Sequence, residues 1–475
     1  MQRIHYPIRL WRACGNVCIV LLWLACFSVP GSEVSSTVVS NGLPPWPMSM
    51  ADAINIALRQ SPKLQRAQKS LEASEGVEIQ TRAIAIPKLS ATGDYSAIQP
   101  SAVDSPPIII GTPFTFNTAQ NWRTQVKIVQ SLYEGGRILS SLRSANLIRE
   151  RSLLDYQVAV ADTVLEIQVA YYAVLLAEQQ IGVQEASVKL LQRELADTTR
   201  RFEAGTVPRF NVLRAEVELA NAYPKLSRVR NNMRIARNLL ANLLGFNLAV
   251  ENTLDVPILL SGKLEAEPWD LELVRALPLA LQQRKEIESL RKTRSLRKEE
   301  VVSAKAGSKP SLQAFAGYGA QNSIFSSDLT DELNGWMTGV QLSWDIFDGG
   351  RTAGRVREAQ ARYELAGVEL DDVGRRIELE VRTAYSVFIE ADEVLKSQAK
   401  VLEQADEALR LATARSDAGT STQLDVLSAQ TALTEARTTH VQALHDYAAA
   451  RARLERSIGA NLPEVTGEGS FSPQP

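Results

Sequence analysis

The chain is poor in the residues that most enzymes and metal sites depend on. Of its 475 residues only three are cysteine, and Cys14, Cys18 and Cys26 all lie within the first 26, so the rest of the chain has no disulfide, thiolate nucleophile or cysteine-ligated metal. Histidine is as scarce: His5 is near the start, while His440 and His445 are five apart and fall on different faces of a helix. No His-x-x-x-His or Glu-x-x-His cluster accompanies them, and His440 reads as a packing residue, so no metal site is expected. Charge of one sign is missing too. With 52 basic and 54 acidic side chains the net charge is −2, which leaves no electrostatic footprint for a nucleic acid, and none is expected as a partner. No nucleophile elbow, dinucleotide fingerprint or P-loop is present. The chain reads as a protein without enzymatic activity and without a cofactor. Beyond residue 27 no stretch of 18 apolar residues occurs, which excludes an ordinary transmembrane helix and leaves a membrane barrel open.

What is present begins at the N-terminus. Arg3, His5, Arg9 and Arg12 precede an apolar stretch at 17–27, followed by Pro30 and Gly31, the layout of a secretory signal peptide. Two processing readings stand side by side: cleavage near Gly31, giving a signal over 1–31, or lipidation of Cys26, giving 1–25. The position where a lipobox favours Leu holds Trp23.

Comparison of the chain with itself reveals a duplication. At an offset of 223, Ala57, Leu58, Pro87, Leu89 and Tyr95 fall on Ala280, Leu281, Pro310, Leu312 and Tyr318. At an offset of 214, Trp122, Gly135-Gly136-Arg137, Tyr171, Gly205 and Gly245 fall on Trp336, Gly349-Gly350-Arg351, Tyr385, Gly419 and Gly459. The nine extra residues of the first copy belong to a loop over 98–121 that holds Pro100, Pro106, Pro107 and Pro113.

Within each copy the hydrophobic period switches between 3.5 and 2. Ile377, Val381, Ala384, Phe388, Ala391, Leu395, Gln398 and Leu402 recur at 4,3 spacing, and Ile167, Ala170, Val174, Ala177, Ile181, Gln184 and Val188 do the same in the first copy, which marks coiled-coil seams. Return segments beginning at Val212 and Val426 carry matching seams, so each copy holds a helical hairpin turning at Gly205 or Gly419. The long arm, from about Gly136 to Ala204, would run about 100 Å at 1.5 Å per residue, and the return arm only about 60 Å. Helix over 50–86, opened by Ser49-x-x-Asp52, and over 270–308 would stack end to end with the return arms and make up the difference. Pro224 lies off the seam. Four segments alternate with period two: Leu89 to Ala97, Val126 to Leu132, Leu312 to Ala320, and Val340, Leu342, Trp344, Ile346. Each suits a tilted membrane strand of about ten residues. Four strands close no barrel, so chains must share one: eight strands in a dimer or twelve in a trimer.

These features resemble the TolC-like outer-membrane efflux proteins. The resemblance covers Met50 to Gly459 and rests on Ala51-Asp52-Ala53-Ile54-x-x-Ala57-Leu58-x-x-Ser61-Pro62, on Tyr133-Glu134-Gly135-Gly136-Arg137 and Phe347-Asp348-Gly349-Gly350-Arg351, and on the paired turns with the Asn211-Val212-Leu213 and Asp425-Val426-Leu427 segments after them. It implies a mixed α and β fold, with duplicated coiled-coil hairpins forming an α-barrel and four strands per chain joining a twelve-stranded trimeric β-barrel. It implies an outer-membrane exit duct, passive in itself, with outer-membrane lipid, a periplasmic adaptor and an inner-membrane pump as partners. It places an aperture at the hairpin tips, with an acidic lining position on Asp425, its first-copy equivalent on Asn211, and a second position, often acidic, on Ser428. Arg201, Gly205, Gly419 and Thr420 become adaptor-contact candidates. The two Gly-Gly-Arg signatures, Gly135, Gly136, Arg137 and Gly349, Gly350, Arg351, read as turns from strand to helix. Asp425, just after a turn, is equally placed to cap a helix.

The expected organisation is a signal over 1–31, a linker over 32–48, a first repeat over 49–246, an intervening segment over 247–268, a second repeat over 269–460 and a disordered tail over 461–475. The rival reading is a periplasmic coiled-coil scaffold or adaptor that conducts nothing. The period-two segments separate the two readings, because a scaffold has no use for Tyr318 and Trp344 on an apolar strand face. The cargo is not legible.

Overall fold

The computed structural model describes residues 47–99, 120–246, 256–266, 268, 269, 271–322, 329 and 332–460. The signal and Cys26, most of the linker, nearly all of the 98–121 loop, residues 247–255 and the tail at 461–475 lie outside the described residues.

Helix α1 (Met50–Gln60) starts with a reciprocal cap: the Ser49 hydroxyl accepts from the Asp52 amide, and the Asp52 carboxylate accepts from the Ser49 amide at 3.1 Å. The expected single helix over 50–86 is broken. Ser61 takes an extended backbone (ψ 125°), Pro62 opens α2 (Pro62–Arg82), and a 3₁₀ turn, Ala83–Ala85, ends the segment. The second copy breaks at the equivalent point without a proline, Arg284 separating α5 (Leu273–Gln283) from α6 (Lys285–Lys305). Tertiary structure therefore sets the break.

The cause is the return arm. In each copy a 67-residue helix, α3 (Arg137–Glu203) or α7 (Arg351–Asp417), is followed by one of 36 residues, α4 (Arg209–Leu244) or α8 (Gln423–Ile458). The α4 helix ends at Gly245, with φ +86°, where a Cβ would stand 2.4 Å from the carbonyl oxygen of Gln60. At the equivalent Gly459, with φ +83°, a Cβ would stand 3.1 Å from the Cβ of Gln283. Short and return helices thus meet end to end at the break, and only glycine satisfies both the left-handed backbone and the close approach. Together they run along the long arm, α2 through Lys63–Glu166 and Arg82–Asn146, α4 through Arg230–Glu185 and Gln192–Tyr223. Pro224 is exposed and α4 passes through it.

The helices form a layer in the lateral order α2/α4, α3, α6/α8, α7. Helix α3 has neighbours on both sides and buries sixteen residues, whereas α7, at the rim, buries seven although it is as long. The seam residues Ile167, Val174, Ile377, Val381 and Phe388 are all in the core. Core position also explains why α3 is apolar enough to pass as a membrane span by length and composition, contrary to the expectation of no such helix: half of that stretch is buried against other helices. Two apolar clusters sit at matching levels. One joins Ala53, Ala57, Ile167, Tyr171, Val174, Leu240 and Leu244, and the other joins Ala276, Ala280, Val381, Phe388, Leu454 and Ile458. In the first, the Tyr171 hydroxyl donates to the Met48 carbonyl at 3.0 Å and accepts from the Gly262 amide at 3.1 Å, pinning the chain on either side of the repeat.

The strands β1 (Lys88–Ala97), β2 (Gln120–Glu134), β3 (Ser311–Asn322) and β4 (Glu332–Ser343) form one antiparallel sheet in sequence order. Register is regular apart from a shift between Ser131 and Tyr133. Trp344 and Ile346, expected to continue β4, lie past its end. Ser343 pairs with Ser311, the first residue of β3, so nothing beyond it has a ladder partner; the Trp344 indole N–H donates instead to the Ser308 carbonyl. Within the sheet, β1 and β4 each have one unpaired edge.

Candidate functional site

The two hairpin tips are built alike. Gly205 (φ +73°) and Gly419 (φ +70°) close the long arms, with the Gly205 amide donating to Phe202 and the Gly419 amide to Ser416. The hydroxyls of Thr206 and Thr420 donate to the carbonyls of Arg201 and Arg415. Thr420 is therefore occupied in holding its own turn. No other side chain stands within 4 Å of where a Cβ on Gly205 or Gly419 would be, so both turns face open space.

The return helices start differently. Thr422 and Asp425 form a reciprocal cap on α8: the Asp425 carboxylate accepts from the Thr422 amide at 2.9 Å and from the Ser421 hydroxyl at 3.0 Å. These bonds, the Thr422 amide foremost, hold the Asp425 carboxyl below the usual carboxylate range. In the first copy Pro208 stands for Thr422 and Asn211 for Asp425, and α4 has no side-chain cap. The Asn211 amide donates to the Pro208 carbonyl, and the Ser428 hydroxyl donates back to the Asp425 carbonyl. The three aperture candidates thus gather at the start of the return arms, with capping as the one role the geometry defines for Asp425.

Ties between the tips were not legible in the sequence. Arg201 pairs with Asp417 at 3.2 Å across the two hairpins, and the Gln423 amide reaches Glu194 and Thr198 on α3. Around them Phe202, Phe210, Leu213, Val217 and Leu424 are exposed, Phe210 to 66%. Their signal was apolar side chains falling off the Val212–Ala215–Leu219 seam.

At the strand-to-helix turns Gly135, Gly136, Gly349 and Gly350 all have positive φ, as their reading as turns requires. Arg137 donates to the Glu134 carboxylate at 2.7 Å; in the second copy Asp348 replaces Glu134 and accepts from the amides of Gly350 and Thr352, while Arg351 turns toward Asp345. Among the described residues there is no cluster of His, Cys, Asp and Glu fit to hold a metal ion.

Halfway along the helices lies an ion network that joins both copies. Arg284 hydrogen-bonds Glu286, Glu380 and the Ser457 carbonyl, and Arg456 hydrogen-bonds Asp162 and Glu286. Both arginines are buried. Burial pushes the Glu286 carboxyl up, but the hydrogen bonds from Arg284 and Arg456 outweigh it and hold it below the usual range.

This duplicated arrangement of hairpins and four strands is matched by known proteins. The sequence profile of the outer membrane efflux protein family matches residues 53–246 and 276–460. The chain belongs to that family. It is 23% identical over 418 residues to the outer membrane protein TolC of Vibrio cholerae, covering 87% of this chain and 91% of that protein. It is 27% identical over 292 residues to the alkaline protease secretion protein AprF of Pseudomonas aeruginosa, covering 61% of this chain and 60% of that one. The crystal structure of the CmeC outer membrane channel of Campylobacter jejuni superposes with a TM-score of 0.74 at 16% identity, covering 88% and 86% of the two chains. The protein is an outer-membrane exit channel for efflux or secretion, with a large periplasmic helical portion, and not an enzyme.

Proposed function

We propose that three copies close into one tube, a twelve-stranded barrel in the outer membrane continued by the helical layers, and that a periplasmic adaptor and an inner-membrane pump engage its tips. One observation carries this reading: sheet and helical layer are open along the same two sides, β1 with α2/α4 and β4 with α7. A strand edge cannot stay unpaired in lipid. The helical rims also expose apolar residues, Ile79 on α2 and Leu365, Val368 and Leu379 on α7, which suit a neighbouring copy. Transport is passive, the energy coming from the pump.

Access is controlled at the tips, where Asp425, Asn211 and Ser428 line the aperture and Arg201, Gly205, Gly419 and Thr420 lie in the adaptor footprint. The exposed Phe202, Phe210 and Leu213 add the apolar surface an adaptor helix would cover. Native mass spectrometry of detergent-purified protein, followed by planar-bilayer recording, tests the reading. A trimer that conducts is expected; a soluble, non-conducting product would establish the scaffold instead.

A further inference from the structure

Successive strand residues point to opposite faces, so the register sorts the side chains of the sheet into two sets. One face carries Leu89, Val126, Ile128, Tyr318, Trp336 and Val340, in rows such as Val126–Tyr318–Trp336. In the trimeric barrel proposed above, on which this inference rests, that apolar face meets lipid and the other faces the lumen.

The luminal face is electrically uneven. Its charged residues are Lys88 and Asp94 on β1 and Arg123, Lys127 and Glu134 on β2, whereas β3 and β4 present Gly317, Gly319, Gly335 and Gly339. Arg123 stands opposite Asp94 in the register and bonds Gln321. Glu134 is buried and tied to Arg137 at the helical end of the barrel. Lys127 differs from both. Its neighbours across the ladders are Ser90 and Gly317, neither able to offset its charge. Its ammonium lies 4.6 Å from the centroid of the Phe315 ring. That ring rests on Gly339, where a Cβ would come within 2.9 Å of it. The glycines leave bare backbone around a lysine that an aromatic platform holds in place.

We propose that Lys127, repeated by three-fold symmetry, forms a cationic ring inside the barrel that favours anionic solutes, those bearing phosphate or carboxylate groups, on the way out. A fixed ring of one sign concentrates counter-ions in a low-dielectric channel. The effect is greatest at low ionic strength, where the Debye length reaches about 30 Å at 0.01 M salt.

The test is single-channel recording in planar bilayers at low salt, with inorganic tripolyphosphate added to one side and then to the other. A side-specific test is needed because the tips stand in series with the barrel. Block is expected from the barrel side only; it should be retained in Lys127→Arg and be at least about threefold weaker in both Lys127→Ala and Lys127→Gln. Wild-type channels indifferent to tripolyphosphate, or equal block in all four proteins, would overturn the cationic ring while leaving the duct intact. A folded trimer that forms no channels would overturn the duct reading itself, and the ring with it.

Discussion

Arg456, in the last turn of α8, places its guanidinium 2.6 Å from the carboxylate of Glu286, in the first turn of α6. Arg456 also pairs with Asp162 on α3, and Glu286 also pairs with Arg284, which reaches Glu380 on α7, so one network clamps helices from both halves of the chain. Removing one partner leaves a buried charge uncompensated, which costs about 3–5 kcal/mol when burial is deep. Glu286→Ala is expected to fall below the lower end, because Arg456 keeps Asp162 and Arg284 keeps Glu380 as partners, and because Glu286 keeps 22% of its side-chain surface exposed. Thermal unfolding followed by circular dichroism should show a clear loss of stability, and Glu286→Gln a smaller one.

The same carboxylate sets an acid dependence. Its pKa is depressed in the fold, so its stabilisation is complete above the unfolded value of about 4.5 and is lost as pH falls through the lower folded value. Wild type should lose more stability than Glu286→Gln between neutral pH and acid below 4.5, in melts recorded at a series of pH values. Parallel curves would exclude Glu286 as the group responsible.

Gly245 and Gly205 share positive φ but not surroundings. Alanine at Gly205 meets open space and should cost only the left-handed backbone penalty, about 1–2 kcal/mol. At Gly245 it must also displace the Gln60 carbonyl, so Gly245→Ala should be markedly more destabilising. Yield of folded protein and melting temperature compare the two directly.

At the second tip, Thr422→Ala removes an N-cap worth about 1 kcal/mol and should speed amide exchange in the first turn of α8. Asp425→Ala should do the same. If Asp425 also lines the aperture, it alone of the two should alter conductance and cation preference in bilayers.

The Arg201–Asp417 pair is exposed, and surface pairs contribute about 0–1 kcal/mol. Arg201→Ala combined with Gln423→Ala should therefore leave the melting temperature nearly unchanged while raising channel open probability. A lower melting temperature with unchanged gating would assign these bonds to packing alone.

What the sequence made legible was local. The 4,3 seams put Ile377, Val381 and Phe388 in the core, and alternation located β1, β2 and β3 but only the last residues of β4, whose start at Glu332 it missed. Trp344 and Ile346 continued the alternation past Ser343, since a side-chain pattern carries no record of where the partner strand begins. The helix break at Ser61 had a proline to mark it, yet its counterpart at Arg284 had none and depends on Gly459 arriving from elsewhere. At the candidate site the turns and Asp425 were visible, while Arg201–Asp417 and the Arg284–Glu286–Arg456 network join residues far apart in the chain and have no spacing to detect.

The sheet carries a consequence for how the protein is made. Each hairpin packs against its own sequence neighbour and can form as soon as its arms emerge, but β2 must pair with β3, as in Arg123 with Gln321, 198 residues later. During export the β1–β2 ribbon therefore waits, with an apolar face and open edges in water, until the second copy has crossed the inner membrane. Biogenesis of this duct has a vulnerable interval built into the order of its segments, one whose length is set by the first hairpin together with α5 and α6, which all lie between β2 and β3.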